Sequence, residues 1–273
     1  MKRRIQFPIL IIGFAILLAV LLARSHLPKK SDNLVNELNQ YCTDETYVCG
    51  FIDEGFERRI KKRIDQKVRI IKISSQGGFQ RIAMRIANQL NESEVSVIID
   101  GACLSACAQS IFLGTKNISI SNRSFVAFHH SSTFLNLVAR MRFVHNEKFL
   151  NYATKNSGAE IEFFDEYKLD YGALLIPAAN MNYICAASQP VYQKGDYSLM
   201  MESQYDWYIP DMKLVLDWRG GRSFKSWPSN LDELKIRSEN FPIFFSRNIV
   251  YFSGNKTAEG LEDHIKKTKT CKI

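Results

Sequence analysis

Ser74-Ser75-Gln76-Gly77-Gly78, Cys103-Leu104-Ser105-Ala106-Cys107 and His129-His130 decide how this chain is read, because each closes an apolar run rich in β-branched and aromatic residues. The three runs are residues 68–73, 95–99 and 125–128. Side chains of this kind fit the pleated surface of a strand. Three strand ends therefore deliver, in chain order, a diglycine turn, a serine among small residues and a histidine. Those are the parts an acyl-transfer site needs: backbone amides for an oxyanion, a nucleophile and a base.

Outward from these motifs the pattern alternates. Residues 79–90 place Ile82, Ala83, Ile86, Ala87 and Leu90 on one face at helical spacing. A second helix is expected over about 105–113, short strands over 118–121 and 125–128, and a long helix over 135–153. Another helix starts at Ser157-Gly158-Ala159-Glu160 and runs to about 169. Strands alternating with helices predict an α/β fold of parallel units with right-handed crossovers. The periodicity fits a stacked spiral of ββα units and a Rossmann-like sheet equally. Residues 171–200, with Pro177, Cys185, Pro190 and Gly195, read as an insertion, and the aromatic run 241–253 as a closing strand pair.

The chain has 273 residues, enough for one elaborated domain or two small ones, with the 46% apolar and 12% aromatic content of a globular protein. Lys2-Arg3-Arg4 precede residues 7–23, which carry no charge and sit at the short limit of a bilayer span. The segment reads as an uncleaved signal anchor or a long signal-peptide core. The anchor is preferred, because Leu21-Leu22-Ala23 makes a poor cleavage site. The positive cluster is expected to keep residues 1–6 in the cytoplasm and to send the rest across the membrane. Residues 24–60 read as a stalk or lead-in, and 216–273 as a C-terminal extension without an assigned role.

Six cysteines, an even number, agree with export and disulfide formation. Cys42 and Cys49 bracket a polar loop and are expected to pair, which leaves Cys185 with Cys271. Cys103 and Cys107 in a regular helix would be too far apart for a disulfide. If Cys103 lies in the turn before the helix, closure becomes feasible and stiffens that turn. No second Cys/His pair has zinc-ligand spacing, so no metal and no cofactor is expected. The net charge of +8 gathers at Lys29-Lys30, at Arg58-Arg59-Ile60-Lys61-Lys62-Arg63 and in the last ten residues. The middle cluster fits a solvated helix face. No aromatic residues interleave it, so it does not resemble a nucleic-acid surface.

Ser105 is the expected nucleophile. Ala102, Cys103, Ala106, Cys107 and Ala108 around it permit a tight strand-to-helix turn, and a helix N-terminus favours a developing oxyanion. The bland alternative is an ordinary serine N-cap. Gly77 and Gly78 let the backbone approach a substrate carbonyl. One oxyanion donor is expected from that pair and the other from the N–H of Ala106. His129 ends its strand 24 residues after Ser105 and is the expected base. Alternation points His130 to the opposite face.

The order and spacing of these motifs resemble the caseinolytic protease (ClpP) branch of the ClpP/crotonase superfamily, closest to its predicted periplasmic members. The resemblance covers about residues 67–155 and the stretch around Trp207. The Cys-Leu-Ser-Ala-Cys pattern is its most specific match. It departs at Gln76, where relatives carry proline. It implies a crotonase-like spiral domain over residues 61–215 and a Ser-His-Asp hydrolase acting on a peptide or protein. Relatives form trimers and rings, so a homo-oligomer is among the implied partners. It also singles out Asp206, in Tyr205-Asp206-Trp207-Tyr208-Ile209-Pro210, as the orienting acid, with Asp165 and Asp170 as rivals. Three functions stay open: an anchored serine peptidase, a non-catalytic scaffold that binds a peptide or envelope partner in the same groove, and an acyl-CoA enzyme. Export counts against the last, and the histidine counts against Ser-Lys relatives.

Overall fold

Strand β3 (Ser96–Leu104) organises the molecule by accepting neighbours along its whole length. In this computed structural model, which describes residues 42, 45–193, 196–238, 249–251 and 257–271, β1 (Tyr47–Cys49), β2 (Ile70–Ser75) and β3 run side by side in parallel. The other edge of β3 is shared. Its first half pairs with β4 (Ile118–Ile120) and its second half with β5 (Phe125–Ala127), both parallel. Gly101, at φ 126°, lies between the two halves, where β3 changes partner. A sheet buried on both faces suits the nearly unbroken apolar character of β3. Val97, Ile99, Ala102, Cys103 and Leu104 are all buried.

The expected helix after the diglycine turn forms as Gln80–Glu92 and buries the predicted face, Ile82, Ala83, Ile86, Ala87 and Leu90, with Met84 added. Glu54–Asp65 is the helix of the basic cluster. It buries Phe56 and Ile60 while Arg58, Arg59, Lys61 and Lys62 face solvent. Val48, Ile52, Phe56 and Ile60, which the sequence reading places in the lead-in, pack in the main core with β2 and β3. Beyond residue 216, Trp218, Phe224, Trp227 and Leu234 join that core.

The helix after Ser105, Cys107–Phe112, is of π type. Leu113 donates to the carbonyl of Ala108, five residues back. Its C-terminal carbonyls are held by two arginines. Buried Arg219 donates to the carbonyls of Phe112, Leu113 and Thr115, and Arg222 donates to those of Leu113 and Gly114. Cations at this end oppose the helix dipole. Burial outweighs this for acidity, pulling the Arg219 guanidinium down to about 9.

The expected boundaries shift in the second half. The predicted helix 135–153 and the one starting at Ser157 are Ser132–Arg142 and one continuous helix, Glu147–Tyr167. Caps explain the division. Phe143 ends the first helix, the Asn146 side chain accepts from the N–H of Phe149 to start the second, and Lys168 ends that one in the left-handed region at φ 51°. Residues 171–200 form the helix Gly172–Met181, with Pro177 inside it, strand β6 (Tyr183–Ala186) and the hairpin β7 (Val191–Gln193) and β8 (Asp196–Ser198). β9 (Met201–Ser203) and β12 (Lys269–Thr270) flank β6 in a second sheet. β10 (Trp207–Ile209) pairs in parallel with β11 (Ile249–Tyr251); the rest of the predicted 241–253 pair lies outside the described residues.

All six cysteines are joined as Cys42–Cys49, Cys103–Cys107 and Cys185–Cys271, with Cα separations of 6.2, 5.2 and 4.9 Å. Cys103 lies in β3 rather than in the helix, which brings it within disulfide reach of Cys107 across the Ser105 turn. The chain is thus mixed α/β with a parallel sheet. Residues 7–23 lie outside the described residues, among which no helix is long and apolar enough to cross a membrane.

Candidate active site

The parallel register of β3 with β5 builds the site. Leu104 is opposite Ala127, and the N–H of Ser105 donates to the carbonyl of Ala127 at 3.1 Å. The residues just past each strand end are thereby neighbours. Ser105 Oγ is hydrogen-bonded to His129 Nε2. Ser105 itself sits at φ +56°, a region few residues other than glycine adopt. Such a backbone persists only where its surroundings enforce it, and it recurs at functional turns. Here the enforcing groups are β3 before it, the helix after it and the Cys103–Cys107 bridge across it.

The diglycine turn packs directly on the serine. A Cβ on Gly77 would lie 2.6 Å from Ser105 Cβ and 2.7 Å from the carbonyl oxygen of Leu104, and Gly77 has φ +92°. Only glycine fits there. The turn is held from behind. Ser75 Oγ donates to the carbonyl of Gly50 at 2.7 Å and accepts from the N–H of Gly77 at 3.0 Å. The carbonyl of Gly77 in turn accepts from Ile52. Those bonds occupy the amide of Gly77. Among the described residues, the N–H groups of Gly78 and Ala106 have no hydrogen-bond partner, which leaves these two amides, rather than that of Gly77, open toward the serine. Gln76 enters a turn already fixed by Ser75.

His129 is held from three sides. Phe128 and Tyr208 exchange backbone hydrogen bonds of 2.9 and 2.8 Å, which aligns the segment after β5 with β10. The neighbouring Trp207 ring meets the imidazole edge-on at 5.1 Å. His129 Nδ1 lies 3.1 Å from His130 Nδ1. The two rings are thus in contact, although alternation predicts opposite faces; the strand has already ended at Ala127, so alternation no longer applies. Burial, and then the neighbouring His130, push the His129 pKa well below the ordinary histidine value. Burial pulls His130 down to about 4. Both directions are opposite to the effect of a contacting carboxylate.

The three candidate acids stand elsewhere. Asp206 precedes Trp207, while the two ring nitrogens of His129 face Ser105 Oγ and His130 Nδ1. Asp165 accepts from the Tyr171 hydroxyl, and Asp170 accepts from the N–H of Gly172 at 2.5 Å. Sequence reasoning missed a different carboxylate. Glu160, fully buried, accepts from the Thr133 N–H and hydroxyl at 2.7 Å each and from Gln80 Nε2 at 3.1 Å. It ties residues just after the histidines to the helix after the diglycine turn. Burial raises its pKa to about 7, and the Thr133 and Ser132 hydrogen bonds offset this only in part. A readable signal existed: Phe149, Ala153, Ser157, Glu160 and Phe164 form one helical stripe, and Glu160 is its only charged member.

Ser105, His129 and Gly78 open into a cleft of about 570 Å³. Its apolar walls include Phe79, Ile82, Leu135 and Leu199, and its charged lining residues are Arg81 and Lys155. Chemically the arrangement offers a hydroxyl paired with a neutral imidazole, beside two unoccupied backbone donors, in a groove sized for a small or extended ligand. Cys185, Cys271 and Glu202 are the one group of potential metal ligands among the described residues, but the two cysteines are joined as a disulfide. A scan against protein-family models and a search among curated proteins both give no match.

Proposed function

We propose that this chain is a serine hydrolase with a ClpP/crotonase-like spiral domain, a peptidase anchored by residues 7–23 in a bacterial inner membrane and working in the periplasm. The observation that carries the reading is the Ser105 Oγ–His129 Nε2 hydrogen bond at a left-handed serine, beside the Gly78 and Ala106 amides. Ser105 Oγ attacks the acyl carbon while its proton passes to His129 Nε2. The oxyanion accepts from the N–H groups of Gly78 and Ala106. His129 then protonates the leaving amine, and a water repeats the sequence to release the acid. Three disulfides support an oxidising compartment.

A second reading, a scaffold that binds peptides without cleaving them, is favoured by one observation: the Nδ1 of His129 meets another imidazole instead of a carboxylate. A fluorophosphonate probe separates the two. The wild type is expected to label at Ser105, with Ser105→Ala lowering the rate at least about 10³-fold. An unlabelled wild type that still retains peptide in its cleft would support the scaffold.

A further inference from the structure

We propose that His130 is the positioning residue of the Ser105–His129 pair, accepting at its Nδ1 the Nδ1 proton of His129 in place of a carboxylate. The inference rests on the hydrolase reading of those two residues. It follows from proton placement. For His129 Nε2 to accept from the Ser105 hydroxyl, that nitrogen carries no proton, so the neutral ring is protonated at Nδ1. Its Nδ1–H points at the group 3.1 Å away, His130 Nδ1, which accepts only if the His130 proton sits on Nε2. One hydrogen bond thus fixes both tautomers and the rotation of the base. The orienting role that sequence reasoning sought in Asp206, Asp165 or Asp170 falls to a residue already beside the base.

A neutral acceptor changes the chemistry. A carboxylate at Nδ1 raises the basicity of an imidazole, whereas a second imidazole leaves it low and makes the two rings titrate as a coupled pair. Protonating His130 at Nδ1 turns the acceptor into a donor and breaks the arrangement. The acid limb of activity therefore lies below the ordinary histidine range. The titratable groups facing the pair are Glu160, which accepts from the N–H groups of Ser132 and Thr133, and Arg81, Lys155, Tyr152 and Tyr197, which line the cleft; Asp206 directly precedes Trp207, whose ring meets His129.

The test compares His130→Ala, His130→Asn, His130→Asp and Asp206→Ala in the full chain. Its readouts are the fluorophosphonate labelling rate against pH and the imidazole N–H proton resonance of His129. Asn and Asp place an acceptor oxygen about where His130 Nδ1 stands. His130→Ala is expected to slow labelling about 10²–10³-fold and to abolish the resonance. His130→Asn should keep the resonance and stay within about tenfold of wild type. His130→Asp should move the acid limb upward in pH, and Asp206→Ala should change the rate less than threefold. Loss of rate and resonance in Asp206→Ala, with both retained in His130→Ala, would overturn the proposal. An unlabelled wild type overturns the hydrolase reading instead, and the resonance in the four variants still decides whether His130 holds the proton.

Discussion

Asp100 and Glu160 are both buried carboxylates, and they are held in opposite ways. Asp100, in β3, receives the Tyr47 hydroxyl, the Ser121 hydroxyl at 2.8 Å and two Arg123 nitrogens at 2.7 and 2.8 Å. Burial pushes against ionisation there, but the bonds from Arg123, Tyr47 and Ser121 prevail and hold the carboxyl down at about 2. Glu160 receives only neutral donors, and burial wins, raising it to about 7. A charge-matched cluster stays ionised throughout the working range of a protein. A cluster matched only by dipoles is poised near neutrality. The first ties β1, β3 and the segment between β4 and β5 together. The second supports residues 132–133, immediately behind the histidine pair, so the titratable support lies next to the candidate chemistry.

Breaking the dipole-matched side should have the larger effect. Glu160→Ala takes the acceptor from the half-buried Thr133 N–H and hydroxyl, while the Gln80 amide keeps Ser110, and donors left without a partner cost about 1–3 kcal/mol each. Denaturant unfolding at pH 5 is expected to show a loss of about 4 kcal/mol; a loss under about 1 kcal/mol would mean that Glu160 does not hold the two segments together. The pH dependence sharpens the contrast. The folded pKa of Glu160 is raised above 4.5, so the folded state binds the extra proton between 4.5 and about 7. Its stabilising share is complete below pH 4.5 and declines as the pH rises through about 7. The shift corresponds to about 3 kcal/mol. Glu160→Gln should flatten that slope at a fixed, pH-independent cost, because its amide nitrogen faces the Thr133 N–H. An unchanged slope would assign the pH dependence to other groups.

The difference between the two carboxylates also marks the limit of what the sequence discloses. The ends of β2 and β5 were legible because β-branched runs carry strong local preferences, and the helix over 80–92 because its apolar spacing is strict; the run 95–99 instead continues through Asp100 and Gly101 to Leu104, where pairing with β5 prolongs β3. The disulfide across Ser105 was legible as a condition on where β3 ends. Local signals do not report register, and register is what sets Ser105 beside His129 and Gly78 beside Ile52. Cap chemistry at Asn146 and Lys168 overrode an apolar pattern that ran through both helices. The His129–His130 contact was hidden because alternation holds only inside a strand. The partners of Asp100 lie 53, 21 and 23 residues away, and nothing in the spacing of Tyr47, Ser121 and Arg123 announces their convergence.

The charge-matched side should yield less, and at the opposite end of the pH scale. The folded pKa of Asp100 is depressed from 3.8 to about 2, so its contribution is fully present above about pH 3.8 and is lost as the pH falls through about 2. A shift of that size corresponds to about 2 kcal/mol, but the Arg123 side chain is 52% exposed, and solvent screening reduces the expected share to about 1 kcal/mol. Asp100→Asn should remove this acid limb from unfolding curves between pH 4 and 2 while leaving the Glu160 slope between pH 4.5 and 7 intact. Raising the ionic strength should weaken the Asp100 contribution, because half of the pair is in water, and leave that of Glu160 nearly unchanged, because no ion reaches it. Equal salt sensitivity of the two slopes would sink the distinction between a charge-matched carboxylate and a dipole-matched one.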